Sequence, residues 1–409
     1  MAGPARSGPL SHVRVLELSR VLAGPWAAQT LADLGADVVK VERPGAGDDT
    51  RTWGPPWVGE GEDRQAAYFL STNRGKRSIT IDFERPEGQE LVRRLASQAD
   101  VVIENFKVGG LKKYGLDYEA LKAVNPRLVY CSITGFGQNG PYAQRAGYDF
   151  MIQGLGGLMS ITGQPDGEPG GGPVKVGVAV TDIFTGLYAT IGILGALAHR
   201  DRTGEGQQVD MALLDVQVAV LANQAMNYLV SGKPPQRLGN AHPNIVPYQA
   251  FPTRDGHMIL AVGNDGQFAK FCAAAGLPAL AQDPRFATNP ARVAHRKELV
   301  AILEETIRTR DTRDWLSALE PLGVPCGPIN DLAAVFDDPQ VQARGIRQDL
   351  PHPTAGSVPT VASPIRYSAT PVVHDRAPPT LGADTDEVLG GQLGLCTADI
   401  QALRDKGVI

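Results

Sequence analysis

The sequence predicts an α/β protein built on a large, doubly wound, Rossmann-like parallel sheet and joined to a small α/β domain. Two observations carry this. Short apolar runs rich in Val and Ile alternate with helical segments over the N-terminal third, and strand–helix–strand units require parallel strands with right-handed crossovers. The composition agrees: 43% hydrophobic residues with only 6% aromatic, 47 Gly and 31 Pro fit a loop-rich enzyme of two or three domains.

The elements follow in order. Residues 13–18 (Val-Arg-Val-Leu-Glu-Leu) form a strand. A helix over 25–34 places Trp26, Ala27, Leu31 and Leu34 at helical spacing, and Gly35 ends it. Residues 36–41 are the second strand. After a long loop over 42–77, strands over 78–82, 101–103 and 128–133 alternate with helices over 87–99 and 118–124. Long helices are expected over 182–200 and 209–229, divided by the turn Arg202-Thr-Gly-Glu-Gly206. Residues 247–325 read as the small unit, with a strand over 258–262 and helices over 267–275, 296–308 and 312–322. Residues 323–329 read as a turn, and the Pro-rich tail ends in a helix over 397–406. Domain limits are expected at 1–230, 231–328 and 329–409.

Charge and composition exclude several classes. A net charge of −5, from 39 basic and 44 acidic residues without a basic stripe, argues against nucleic acid as partner. Cys131, Cys272, Cys326 and Cys396 make no Cys-x-x-Cys pair and read as reduced thiols. The seven histidines show no metal-ligand spacing, so no metal is expected. The start of the chain lacks the apolar core of a signal sequence, and no uninterrupted apolar run reaches about 18 residues. A cytoplasmic protein without a membrane partner is expected.

Asp182 is the candidate catalytic residue. It stands where a Gly/Pro-rich loop gives way to a long apolar helix, so its carboxylate is a cap, a general base or a nucleophile, and the helix start should favour its ionised form. Tyr148 and Asp149 lie in a loop beyond the fifth strand, the edge at which open α/β sheets bind ligands. His242, in a polar loop, is a candidate acid or base. Gly135-Phe-Gly137-Gln-Asn-Gly140 matches a dinucleotide fingerprint, but Pro141 follows where a helix should begin, and the first strand carries no such motif. Asn73-Arg-Gly-Lys-Arg77 either contacts an anionic ligand or is a solvated turn.

Blocks along nearly the whole chain resemble the class III CoA-transferases, the formyl-CoA and carnitine CoA-transferase family. They include Arg20-Val-Leu-Ala-Gly-Pro25, Val38-Val-Lys-Val-Glu-Arg-Pro44, Asn73-Arg-Gly-Lys-Arg-Ser78, Tyr130-Cys-Ser-Ile-Thr-Gly-Phe-Gly137, Gly147-Tyr148-Asp149 and Gly323-Val-Pro-Cys-Gly-Pro328. The stretches 42–56, 144–149, 157–163 and 245–251 are similar to the succinate–glutarate branch. The resemblance implies CoA transfer from succinyl-CoA to glutarate or a similar dicarboxylate. Asp182 would act as nucleophile through an aspartyl anhydride and an aspartyl-CoA thioester. Coenzyme A would be substrate and product, with no permanently bound cofactor.

The same resemblance implies site roles. Leu22 and Ala23 would lie beside the thioester. Arg43 and Lys113 would meet phosphate, Ile81, Asp82 and Phe83 adenine, and Asn105 and Phe106 pantetheine. Tyr148 and Asp149 would flank the nucleophile, and the loop 239–242 would form a lid. Arg51, close to Trp53, is the candidate cation for a second substrate carboxylate, with Arg237 as another. An interlocked homodimer is implied, with residues 329–409 returning to the large domain. The related racemases pair the aspartate with a histidine at the position of Tyr148. A tyrosine, with a reference pKa near about 10, is a poor proton acceptor at neutral pH. Epimerisation and dinucleotide-dependent oxidoreduction remain the alternatives.

Overall fold

The computed structural model describes residues 7–61 and 64–409. The chain divides into two compact units, one of residues 1–158, 176–225 and 340–409, the other of residues 159–175 and 226–339.

The first unit is built on a six-stranded parallel sheet. Its strands are β1 (Arg14–Glu17), β2 (Asp37–Glu42), β3 (Lys76–Thr80), β4 (Val101–Glu104), β5 (Val129–Thr134) and β6 (Gln208–Ala212), in spatial order 3-2-1-4-5-6. That order belongs to doubly wound dinucleotide folds, which bind ligands where the strand order reverses, beyond the C-terminal strand ends.

Alternate strand residues feed two cores, because successive side chains point to opposite faces. Leu16, Val39, Ile79, Val102 and Tyr130 enter one core. It is closed by α2 (Pro86–Ala96), α3 (Tyr118–Val124) and two C-terminal helices, Thr385–Leu393 and Thr397–Asp405. Val15, Val38, Ile103, Val129 and Cys131 enter the other, under α1 (Ala23–Asp33) and α5 (Val180–Thr203). A methyl at Gly186 would lie 2.7 Å from the Ala23 carbonyl oxygen, so glycine lets these two helices meet closely. Helix α5 is long and apolar enough to cross a membrane, by length and composition alone. Its Ala189, Ile193, Ala196 and Leu197 are buried in the core under the sheet.

The sixth strand corrects the helix expected over 209–229. Residues 208–212 pair with β5, Cys131 facing Val209, and helices Leu213–Ala219 and Ala222–Ser231 follow. Val209 and Met211 pack onto the core while Gln208 and Asp210 point away, a period of two that joins the helical pattern without a break.

The second unit carries a three-stranded antiparallel sheet of Tyr248–Pro252, His257–Ala261 and Cys326–Pro328. The last strand replaces the turn expected over 323–329. Phe251, Met258, Leu260, Phe271 and Trp315 form its core, and the Trp315 indole N–H donates to the Ile307 carbonyl at 2.8 Å. Within the first unit, the tail adds a hairpin, Arg347–His352 with Gly356–Val361, and the helix Thr385–Leu393, neither expected from sequence.

Candidate active site

A cavity of about 610 Å³ opens at the C-terminal ends of β1 to β5. Segments leaving those strands line it: 20–23, 43–49, 81–84, 105–113 and 143–148, together with Asp182 from α5. Gly135 and Gly147 make this convergence possible. A methyl at Gly135 would lie 2.6 Å from the Gly147 Cα, so the loop carrying Tyr148 can rest on the end of β5 only through glycine.

Asp182 is half-buried at the first turn of α5, and its carboxylate accepts no hydrogen bond among the described residues. The cap position is Ala179, whose side chain has no acceptor. Asp149, first residue of helix α4 (Asp149–Leu155), supplies it instead. One Asp149 oxygen accepts the Thr181 amide at 2.8 Å and the Asp182 amide at 3.3 Å. The other accepts the Gln153 amide group at 2.6 Å, and the Gln153 carbonyl oxygen accepts the Val176 amide at 2.9 Å. Thr181 in turn donates its hydroxyl to Gln217 at 2.5 Å.

Two consequences follow for Asp182. It is relieved of capping, so its oxygens are available to a ligand. Burial, and then the negative charge of Asp149, push its pKa up to about 7. This overturns the expectation that the helix start would favour ionisation: Asp149 already occupies the amides, and its charge opposes a second carboxylate.

Of the residues singled out in the sequence, Leu22, Ala23, Arg43, Ile81, Asp82, Phe83, Asn105, Phe106, Lys113 and Tyr148 line the cavity with Asp182. Asp149 lies behind it. Phe83 packs edge-on against Phe106 and Tyr114, at 5.8 and 5.7 Å between ring centroids. The Asn105 side chain is committed to the main chain of Arg20, donating at 2.6 Å and accepting at 2.9 Å. It therefore fixes the segment leading into Leu22 and Ala23. Beneath the cavity lies a buried charge cluster, in which Lys40 meets Asp48 at 2.9 Å and Glu17 at 3.2 Å, and Lys76 meets Glu17 at 2.8 Å. Burial lowers the Lys76 pKa to about 8. Val21 above the cluster has φ +72°, a conformation unfavourable for a β-branched residue, and its amide is held by both Asp48 oxygens.

Arg51 is not brought to the cavity wall. Its guanidinium grips Glu42 through two hydrogen bonds of 2.7 and 2.6 Å and stacks on Phe69 at 3.7 Å. Arg237 and His242 belong to the second unit. Arg237 pairs with Asp166, and the His242 ring nitrogen Nδ1 accepts the Asn244 amide at 3.1 Å. Burial, and then the Arg296 charge, lower the His242 pKa. The amides of Gly239, Ala241 and His242 are all taken by carbonyls of the same unit.

Both readings of residues 73–77 are replaced. Asn73, Arg74, Lys76 and Arg77 are buried and bound internally, Arg74 to Asp33 and Arg77 to Asp37. In the Gly135–Gly140 loop, the Gly137 amide donates to Thr134 at 2.9 Å and the Gln138 amide to Asp210 at 3.0 Å, so these groups are not free for phosphate. Sequence reasoning missed Arg20, Lys107, Tyr114 and Arg145, which also line the cavity. Arg145 had a usable signal: it lies three residues before Tyr148, in the same loop beyond a strand end.

Comparison with known proteins places these features in a family. A succinate–glutarate CoA-transferase of Agrobacterium fabrum is 60% identical over 388 residues, covering 94% of this chain and 96% of that protein. The human succinyl-CoA:glutarate CoA-transferase is 45% identical, covering 98% of this chain and 90% of that protein. The crystal structure of a CAIB/BAIF family protein from Brucella suis superposes with a TM-score of 0.84 at 57% identity, covering 95% of this chain and 100% of that one. The model of CoA-transferase family III matches residues 10–385, a span holding every cavity segment and the Asp182 helix, and the chain belongs to that family.

Proposed function

We propose that this CoA-transferase moves CoA from succinyl-CoA to glutarate or a similar dicarboxylate, with Asp182 as the nucleophile. The acids are those in the names of the 60% and 45% identical relatives. The observation that carries the mechanism is the placement of Asp182: its unpaired carboxylate faces the cavity while Asp149 does the capping.

The chemistry runs as two matched exchanges. An Asp182 oxygen attacks the succinyl thioester carbon, the C–S bond breaks, and CoA leaves as thiolate, giving a mixed anhydride. The thiolate attacks the Asp182 acyl carbon, expelling succinate and leaving an aspartyl-CoA thioester. The acceptor carboxylate attacks that thioester, forming a second anhydride and releasing thiolate. The thiolate then attacks the acceptor's acyl carbon, giving the new thioester and free Asp182. No net proton or electron is consumed. Covalent capture divides a difficult exchange into easier steps, and a site that excludes water protects both intermediates from hydrolysis. A carboxylate with a raised pKa is the stronger nucleophile once ionised.

In this reading Tyr148 and Asp149 flank the nucleophile, Asp149 from behind through the Asp182 amide, and Leu22 and Ala23 lie beside the thioester. Phe83 and Phe106 cover adenine and pantetheine with Ile81, Asp82 and Asn105. Arg43 and Lys113 meet phosphate. An interlocked homodimer completes the proposal. Its support is the apolar surface left open on the first unit: Phe184, Leu187, Tyr188 and Ile191 on α5, and Phe150, Met151 and Leu155 on α4. Light scattering should give twice the chain mass.

The test is intact-mass measurement after incubation with succinyl-CoA, with hydroxylamine or borohydride trapping and peptide mapping. A covalent adduct on Asp182 is expected. An enzyme that turns over without one at that residue refutes the nucleophile.

A further inference from the structure

Asp182 and Asp149 make the acyl end of the cavity negative. A monocarboxylic acyl group can enter without further provision. A dicarboxylic one brings a second carboxylate that these groups repel, so a cation should face it. Arg51 is occupied by Glu42 and stands outside the cavity wall.

The cations that do line the cavity separate by the segment that carries them. Lys40 is locked in the buried cluster with Glu17 and Asp48. Arg20 pairs with Asp49 at 3.0 Å. Arg43 follows β2, while Lys107 and Lys113 follow β4, beside the aromatic group of Phe83, Phe106 and Tyr114. Arg145 alone comes from the loop that crosses Gly135 and continues through Tyr148 to Asp149. Its guanidinium has no carboxylate partner among the described residues. It is held by ring faces instead, 4.6 Å from the Tyr142 centroid and 5.2 Å from that of Phe136, two rings that themselves meet edge-on at 5.6 Å. Phe136 is buried, so one wall of this seat is fixed. These cation–π contacts hold the guanidinium without using its N–H groups, which have no acceptor among the described residues and so suit two-pronged carboxylate binding.

We propose that Arg145 binds the distal carboxylate of the acyl group and thereby selects dicarboxylates over monocarboxylates. This rests on the dicarboxylate reading above and assigns its specificity to one side chain. Arg145 stands four positions before Asp149, which accepts the Asp182 amide, so the two charges stand at opposite ends of one short chain segment.

The experiment compares wild type, Arg145→Ala and Arg145→Lys with glutarate and with pentanoate, an acid of equal length lacking the second carboxylate. The donor is held saturating, and free-CoA affinity is measured by calorimetry. The ratio of kcat/KM for glutarate over pentanoate should fall about tenfold to a hundredfold in the alanine variant, the range for a charge-assisted pair. Lysine should recover part of it, and CoA affinity should hold. An unchanged ratio overturns the proposal. So does an equal loss of CoA affinity, which would make Arg145 a phosphate contact. A wild-type enzyme that turns over monocarboxylates but no dicarboxylate sinks the substrate reading itself, a result distinct from either.

Discussion

Asp149 accepts the main-chain amide of Asp182 at 3.3 Å and that of Thr181 at 2.8 Å, so one carboxylate caps the helix that presents the other. The pair divides two tasks that the helix start alone would have given to a single residue. It also sets their electrostatics: a charged Asp149 behind Asp182 raises the energy of the ionised nucleophile.

The substitution Asp149→Asn should therefore move the pH dependence of Asp182. The acid limb of single-turnover adduct formation should lie near 7 in the wild type, since Asp182 is pushed up to about 7. The introduced side chain would still accept amides through its carbonyl oxygen but would carry no charge, so the limb should shift toward acid by roughly one unit. A limb that stays put would show that burial alone sets the value.

Asp182→Asn should stabilise the fold, and only at higher pH. Asp182 has a folded-state pKa above its unfolded one. Its stabilising contribution is present in the protonated form below the unfolded value and is lost as pH rises through about 7. Wild type and variant should unfold alike at pH 4, while at pH 8 the variant should gain roughly 1–3 kcal/mol. Thermal unfolding at the two pH values decides it. Catalytic adduct formation should vanish in the same variant, with free-CoA binding retained.

Arg51→Ala should damage stability rather than substrate choice. Its removal leaves Glu42, whose side chain is 1% exposed, with the Ser78 hydroxyl and the Asp48 amide but without its adjoining guanidinium charge and the two hydrogen bonds that do most to hold its pKa below the usual range against burial. Breaking one side of such a pair costs about 3 kcal/mol or more. Denaturant unfolding should show this loss, with little change in the Michaelis constant for glutarate. A raised Michaelis constant in a variant of unaltered stability would restore Arg51 as a substrate contact.

The sheet was legible wherever strand and helix patterns are separated by a turn residue, as Gly35 separates α1 from β2. The sixth strand was not, because Met211-Ala-Leu-Leu214 runs from a period of two into a helix without interruption. Asp182 was visible as a helix start. Its capping partner was not, since Asp149 stands 33 residues earlier and no local pattern links them. The basic run 73–77 misled for the same reason: its partners Glu17, Asp33 and Asp37 lie far away in sequence, and only the fold pairs them. Arg51 was favoured for its nearness to Trp53 along the chain, which says nothing about the Glu42 carboxylate that claims it.

Gly135→Ala tests whether the glycine contact at the end of β5 sets the position of the substrate-facing loop. The added methyl would lie 2.6 Å from the Gly147 Cα and 2.8 Å from the Gly147 nitrogen, both backbone atoms that cannot rotate away. Neither glycine requires a left-handed conformation, so the effect is one of contact alone. The segment 145–148 must therefore lift from the strand end, carrying Arg145 and Tyr148 with it. Overpacking of this kind costs about 1–3 kcal/mol, and displacing a positioning segment by about 1 Å can cost a hundredfold in rate. The variant should lose kcat/KM for glutarate far more than affinity for free CoA, because Arg43, Phe83 and Phe106 reach the cavity from other strands. Equal losses in both would mean that the whole cavity, not this loop, depends on the contact.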